Sequence, residues 1–166
     1  MIVLAIDPGP TTCGVVLYDS EAKRVLYSEA AATVAEVIAR IDSRAPIGEP
    51  QWPLIAIERV QAQGQSGASL LRTSEVVGRC WEAALGRGYR VRLVYRREVL
   101  KALDVTGRGS RDAMVRARLI EIHGGHKVAA VGTKKAPGPC YGVSSHAWAA
   151  LGVAVAAAGG AGEVGL

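Results

Sequence analysis

The chain has 166 residues, 49% of them hydrophobic, which is enough for one domain with a substantial buried core, built without any Phe. The net charge of +5 and the pI near 9.4 favour a polyanionic partner without identifying one. Three widely spaced cysteines without a CxxC pair argue against both a structural zinc site and a disulfide framework.

Two apolar segments bear on membrane insertion. The run Ile2–Ile6 has no basic leader and is too short for the hydrophobic region of a signal peptide. The Ala-rich stretch Ala147–Ala158 is too short to span a bilayer. With the cysteine usage of a reducing compartment, these features predict a cytoplasmic protein with no membrane partner.

The N-terminal third predicts an antiparallel meander followed by a helix. Three short apolar segments separated by turn residues are its strands: Met1–Asp7, Cys13–Tyr18 and Arg24–Ser28. Thr33 is predicted to cap the helix, with Glu36 as its capping-box partner.

Strands then alternate with helices. The predicted elements are a strand Leu54–Ile57, a long helix to about Leu85, a strand Arg90–Val94, helices Arg96–Leu103 and Ser110–His123, and a last helix Ser144–Ala158. Leu70, Leu71, Val77, Trp81 and Leu85 form the predicted apolar side of the long helix. This order predicts a mixed sheet covered by helices, in one domain over residues 1–158, with Gly159–Leu166 as a flexible tail.

Two acidic residues follow apolar segments in the same way. Asp7 comes directly after Ile2–Ile6, and Glu58 comes directly after Leu54–Ile57. If these strands are neighbours, both carboxylates emerge near the centre of the sheet, where their mutual repulsion favours a bound Mg²⁺ or Mn²⁺ ion. Taken singly, either acid more simply marks the point where a strand meets solvent, and the shared context is what favours a metal site.

The segment after Asp7 predicts a tight hairpin. Gly9 and Gly14 bracket a turn in which the backbone can approach a ligand closely. A similar spacing occurs in actin-type sugar kinases, where the hairpin contacts ATP phosphate, and in ordinary hairpins. An actin-like ATPase needs two such domains, whereas this chain has room for one, so we predict no nucleotide cofactor.

Four segments resemble, in the same order, the motifs of RuvC-type Holliday-junction resolvases, a branch of the ribonuclease H-like superfamily. They are Asp7–Gly14, Ala56–Val60 with the Gln/Gly/Ser loop after it, Arg96–Lys101 with Thr106–Gly109, and His146–Ala154. The resemblance implies an α/β fold with a ribonuclease H-like mixed sheet, a three-stranded antiparallel meander plus parallel strands, flanked by helices. It also implies a homodimeric endonuclease that resolves four-way DNA junctions by paired symmetric nicks, in a prokaryotic or virus-infected cytoplasm.

The resemblance also implies a set of metal ligands. The family holds two Mg²⁺ ions, for which Mn²⁺ substitutes, with acids on the first and fourth strands and one or two groups on the last helix. By position these are Asp7, which would bridge the two ions, Glu58 and His146. The family carries an Asp three residues after the histidine, on the same helical face, and here that position is Ala149.

An engineered Asp→Ala change and a naturally impaired paralogue both explain Ala149. We favour the engineered change, because the other three groups of the site remain. Either origin predicts weak or absent catalysis with substrate binding retained.

Half of the Lys and Arg residues lie between Arg87 and Arg118, which fits a phosphate-binding surface whose affinity falls steeply with salt. The residues predicted to contact DNA are Gln61, Gln63, Gln65, Arg72, Lys101, Arg108 and Arg111. A flexible surface loop explains the glutamines equally well. For Arg116 and Arg118 a solvated helix face is the favoured interpretation.

A two-fold junction calls for a two-fold protein, and the long helix Leu70–Leu85 is the predicted dimer face. Its apolar residues could equally belong to the core. Two rival functions stay open: a junction-binding protein that does not cleave, for which Ala149 is the natural residue, and a RuvC-like nuclease that acts on flaps or replication forks.

Overall fold

The computed structural model describes residues 1–43, 54–61, 67–106 and 111–159. The strands are β1 (Ile2–Asp7), β2 (Cys13–Asp19), β3 (Arg24–Ala32), β4 (Leu54–Arg59) and β5 (Val91–Tyr95). The helices are α1 (Val34–Asp42), α2 (Ala68–Gly86), α3 (Arg96–Ala102), α4 (Arg111–Gly124), α5 (Lys127–Val131) and α6 (Ala147–Gly159).

The strands form one five-stranded sheet in the order β3-β2-β1-β4-β5. The β1–β2 and β2–β3 pairs are antiparallel, and the β1–β4 and β4–β5 pairs are parallel. The predicted mixed sheet, a meander extended by parallel strands, is therefore confirmed. Since the central strand β1 has β4 as its parallel neighbour, the carboxyl ends of these two strands meet at one edge of the sheet.

Helices cover both faces of the sheet, and β1 shows how its residues divide between them. Val3 and Ala5 point into a cluster formed with α3, α4 and α6, whereas Leu4 and Ile6 point into a second cluster formed with α1 and α2. Because successive side chains of a strand face opposite sides, an aliphatic run without polar residues fits a strand buried on both faces. Helix α6 is apolar around most of its circumference for the same reason, since it packs against β1, β2 and β4.

The predicted capping box at the start of α1 is confirmed. The Thr33 side chain accepts a hydrogen bond from the Glu36 backbone N–H at 3.3 Å, and a Glu36 carboxylate oxygen accepts one from the Thr33 backbone N–H at 2.7 Å. These bonds satisfy two backbone donors that the helix itself leaves unpaired.

Several boundaries differ from the prediction. Strand β3 continues to Ala32, four residues past the predicted end, and the short helix α5 was not predicted. Helix α6 begins at Ala147 rather than Ser144, because Ser145 has a left-handed backbone with φ of 42° that no α-helical turn contains. The predicted loop Ala45–Pro53 and most of the predicted tail lie outside the described residues; Gly159 closes α6.

The predicted apolar side of α2 is confirmed for Val77, which is buried, and for Leu85, which packs against the core, but it is wrong for Leu71 and Trp81. Leu71 and Trp81 are 63% and 39% exposed. The α2 side chains that face the core are Thr73, Val76, Val77, Cys80 and Ala84. Thr73 can replace an apolar residue there because its hydroxyl donates to the Ser69 carbonyl oxygen at 2.9 Å.

All three cysteines are buried and unpaired, in agreement with the predicted absence of a disulfide framework. Over the described ranges, no helix combines the length and the apolar character needed to cross a membrane.

Candidate functional site

The parallel pairing of β1 and β4 places two carboxyl groups side by side. Ile6 is the register partner of Ile57, so the next residues, Asp7 and Glu58, are adjacent at the carboxyl ends of the two strands. Their side chains are 19% and 15% exposed and share a hydrogen bond. The structure therefore brings together the two acids that the sequence pattern singled out.

Burial and mutual repulsion make these two carboxyl groups difficult to ionise together. Burial raises the pKa of Asp7 from 3.8 to about 6. Burial, followed by the negative charge of Asp7, raises the pKa of Glu58 from 4.5 to about 8. A carboxyl pair of this kind is stable either with a shared proton or with a cation bound to it.

Helix α6 begins beside this pair. His146, which directly precedes α6, has its Nδ1 atom 3.8 Å from a carboxylate oxygen of Asp7, and its side chain is 64% exposed. Gly14 allows the approach, because a Cβ atom there would lie 2.4 Å from the His146 carbonyl oxygen. Gly14 is also the register partner of Asp7, so the hairpin glycine fixes the start of α6 against the end of β1.

Two clefts open on either side of the carboxyl pair, and both are lined by Asp7, Glu58 and Arg96. The smaller has a volume of about 260 Å³ and also contains Pro8, Arg59, Val60, Gln61 and Thr73. The larger, of about 550 Å³, adds residues of α4 and the start of α6: Asp112, Ala113, Val115, Arg116, Ser145, His146, Trp148 and Ala149. All four predicted catalytic positions thus line one cleft, with the half-buried Ala149 in the position for which a carboxylate was expected.

Sequence reasoning missed two charged residues of this cleft. Arg96, the first residue of α3, is 21% exposed and has its Nη1 atom 3.9 Å from Glu58 Oε1. Its Nη2 atom is ion-paired with Asp112 on α4. Arg96 belongs to the basic stretch of the sequence, but only the parallel register of β4 and β5 brings it beside Glu58.

The residues predicted to contact DNA are dispersed around this edge. Gln61 lines the smaller cleft, and Arg72 is an exposed α2 residue next to Thr73 of the same cleft. Lys101 on α3 and Arg111 at the start of α4 are exposed. The remaining three, Gln63, Gln65 and Arg108, lie outside the described residues.

Other members of the basic stretch have separate roles. Arg92 is buried, donates to the Ala157 carbonyl oxygen at 3.0 Å and pairs with Glu98 at 3.1 Å, so it supports the C-terminal end of α6. Arg118 pairs with Glu121, in agreement with the prediction of a surface role. Arg116 is exposed, yet it lines the larger cleft, and its guanidinium lies 5.3 Å from the Trp148 ring.

Two further arginines lie beside the site on one aromatic ring. The guanidinium groups of Arg59 and Arg97 lie 5.3 and 4.9 Å from the centre of the Tyr95 ring. Arg59 follows Glu58 directly in β4 and is the register partner of Tyr95. The edge of the sheet therefore carries positive charge immediately next to the carboxyl pair.

Within residues 1–43, 54–61, 67–106 and 111–159, no three His, Cys, Asp or Glu side chains are grouped closely enough to hold a metal ion. Besides the pair itself, the carboxylate whose charge acts on both groups is that of Asp112. Hard carboxylate oxygens of this kind suit a cation such as Mg²⁺ or Mn²⁺.

Two solved structures have the same arrangement of elements. RuvC of Thermus thermophilus superimposes with a TM-score of 0.61 at 24% identity, and T. thermophilus RuvC in complex with a Holliday junction substrate with a TM-score of 0.60 at 23% identity. Each match covers 95% of this chain and 93% of the other. The chain has the RuvC fold.

The RuvC fold confirms the fold class expected from the four sequence motifs. No protein-family model matches the chain, and no curated protein is significantly similar to it. The likeness therefore lies in the order and packing of the elements.

Proposed function

We propose that this protein recognises four-way DNA junctions and that its cleft is a metal-dependent phosphodiesterase site, impaired by the alanine at position 149. The observation that carries the proposal is the convergence of Asp7, Glu58 and His146 on one cleft of a RuvC fold. The T. thermophilus protein with this fold is described in complex with a Holliday junction substrate.

The residues of the cleft fit a divalent cation. Two largely buried carboxyl groups at adjacent strand ends hold their protons unusually tightly, so a bound cation would remove a repulsion that is already present. Asp7 and Glu58 would hold the ion, and His146 lines the same cleft. Bound Mg²⁺ or Mn²⁺ supplies an activated water and stabilises the charge that develops on a phosphate during hydrolysis.

The side chains of this chain have distinct parts in that reaction. The exposed imidazole of His146, 3.8 Å from Asp7, can accept a proton from a water molecule in the cleft at one of its ring nitrogens. The Asp7 carboxylate is close enough to stabilise the protonated form of that imidazole by its negative charge. The methyl group of Ala149 supplies neither a charge nor an oxygen where the larger cleft needs a further ligand, which lowers turnover without removing the surface that binds DNA.

Positive charge around the cleft supports a nucleic-acid substrate. Arg59 and Arg116, which line the two clefts, form no ion pair among the described residues. Arg72, Lys101 and Arg111 extend the basic surface on α2, α3 and α4. Contacts of this kind bind the phosphate backbone and make the affinity strongly dependent on salt.

We expect the unaltered chain to bind a four-way junction at least about tenfold more tightly than a linear duplex of equal length in EDTA, because a specific site exceeds general phosphate attraction. Fluorescence anisotropy with junction, flap, fork and duplex at several salt concentrations measures this. Equal affinity for junction and duplex would contradict junction recognition. Tighter binding of a flap or fork than of the junction would identify that DNA as the substrate instead.

A second candidate function is a junction-binding protein that does not cleave, and Ala149 is the observation that favours it. Both candidates predict junction binding. They differ in whether a carboxylate at position 149 restores cleavage, because only a nuclease keeps the rest of its machinery in working order.

We further propose that two copies pair through the exposed face of α2, which carries Leu71 and Trp81. Large apolar side chains on one exposed helix face are typical of an interface. Trp81→Glu is expected to halve the mass measured by sedimentation, from a dimer to a 17.3 kDa monomer. Val128→Glu, at an apolar residue on α5 that is 76% exposed, is the matched control. An unaltered chain that sediments as a monomer would exclude this interface.

A further inference from the structure

Arg96 has an unusual position for an arginine. It is largely buried between the two clefts, close to Glu58 on one side and ion-paired with Asp112 on the other. Its positive charge lowers the pKa of both Asp7 and Glu58. Arg96 therefore compensates part of the negative charge that the two strands bring together.

Asp112 is an unusual partner for it. Its side chain is 87% exposed, in the first turn of α4, and its negative charge raises the pKa of both Asp7 and Glu58. The ion pair thus brings a third carboxylate towards two that already repel each other. Because the Asp112 carboxylate is exposed, water can replace Arg96 as its partner, so the Arg96–Asp112 pair can be opened from the Asp112 side.

The guanidinium of an arginine binds carboxylates and phosphates with the same two-pronged geometry. A group that takes the place of Asp112 on Arg96 would lie in the larger cleft, which is also lined by the carboxyl pair and by the start of α6. Arg116 lines the same cleft and adds positive charge there. An anion with a single charge and paired oxygens fits this position.

We propose that Asp112 occupies the place of a substrate phosphate on Arg96, and that a phosphodiester of the bound DNA displaces it and is held by the Arg96 guanidinium. This inference rests on the proposed nucleic-acid function and adds the residue that receives the phosphate at the carboxyl pair. Asp112 is then an internal competitor, which keeps Arg96 oriented in the free protein and leaves it when DNA binds.

The test compares two neutral substitutions on α4. Asp112→Asn is expected to bind a fluorescent four-way junction about threefold to fivefold more tightly in EDTA at low salt, which corresponds to the loss of a competing carboxylate that is itself exposed to solvent. Glu121→Gln removes the same charge and also frees an arginine, Arg118, from an ion pair. It lies nine residues further along α4, about 14 Å from Asp112 and beyond the screening length of about 8–10 Å, so its gain should be small.

A double-mutant comparison identifies the partner. In an Arg96→Gln chain, Asp112→Asn should increase the affinity for the junction no more than Glu121→Gln does. The guanidinium that Asp112→Asn would otherwise make available to the phosphate is missing from that chain. Arg96→Lys, which keeps the charge but not the two-pronged geometry, should bind more weakly than the unaltered chain and should gain less affinity from Asp112→Asn than the unaltered chain does.

Two results would overturn the inference: equal gains from Asp112→Asn and Glu121→Gln, or an undiminished gain in the Arg96→Gln background. Both leave junction binding by the unaltered chain intact, so they are distinguishable from failure of the proposed function, in which the unaltered chain shows no preference for the junction.

Discussion

Ala149→Asp is expected to turn on Mg²⁺-dependent cleavage of a four-way junction, with a rate increase of about 10²–10³-fold over the unaltered chain. A bound metal ion would stabilise the charge of a phosphoryl transfer by several kcal/mol, and a carboxylate at position 149 would help to hold that ion; each 1.36 kcal/mol is tenfold in rate. Position 149 is in the first turn of α6 and lines the cleft that contains Asp7, Glu58 and His146. A carboxylate there is also favoured by the partial positive charge at the start of the helix.

Gel-based cleavage of an end-labelled junction with Mg²⁺ or Mn²⁺ measures this increase, and the symmetry of the products reports whether the nicks are paired. Ala149→Asn introduces a side chain of the same size as that of Ala149→Asp but without its charge, and this variant should remain inactive. Adding Asp7→Asn to Ala149→Asp should abolish the new activity, which would place it in this cleft. If Ala149→Asp stays inert while it binds junctions normally, the non-cleaving junction-binding protein is the better description.

Glu58→Gln is expected to be more stable than the unaltered chain at alkaline pH in EDTA. The Tm of this variant should also not rise when divalent cations are added. The folded protein holds the proton of Glu58 up to about pH 8, whereas the unfolded chain releases it near 4.5. A raised pKa stabilises the fold fully below pH 4.5, and that contribution is lost as the pH rises through about 8. Glutamine keeps the size and a hydrogen-bond donor for Asp7, and it never ionises.

The difference should reach a few kcal/mol, or roughly 5–10 °C in Tm, above pH 8 and should vanish in acid. Mg²⁺ or Mn²⁺ should raise the Tm of the unaltered chain at high pH, because a bound cation replaces the proton, and should leave Glu58→Gln unchanged. Glu75→Gln, at an exposed position of α2, is the control and should follow the unaltered chain. A pH-independent difference between Glu58→Gln and the unaltered chain would show that the two carboxyl groups do not repel each other in the folded state.

The sequence was informative where a local rule acts alone. The capping box of Thr33 and Glu36 was predicted correctly because both partners lie within one turn of helix. The placement of Asp7 and Glu58 followed from two strands of the same aliphatic pattern, which pair in parallel at the centre of the sheet. The hairpin glycine Gly14 was also identified, although its contact with the His146 backbone was not.

Prediction failed where the orientation of a side chain depends on which other element packs against its helix or strand. Leu71 and Trp81 fit an apolar stripe on α2 together with Val77, but only Val77 of these three is buried. Thr73 and Cys80 are buried in the places that the exposed pair was predicted to occupy. Arg92 belongs to the basic stretch, yet it points inward to the end of α6. In each case the residue type is compatible with both a core-facing and a solvent-facing position. Packing against an element that is distant in the sequence decides between the two.

The amino-acid sequence by itself determined the mixed α/β sheet, the acids at the ends of β1 and β4, and the neutral residue at position 149, because residue type and spacing are enough to specify them. The tertiary structure alone decided that Arg96 and Asp112 join the carboxyl pair, since they lie on α3 and α4, far from Asp7 along the chain. Their electrostatic effect depends on distances of a few ångströms, which are set by the register of β4 against β5 and by the packing of α4 beside α6.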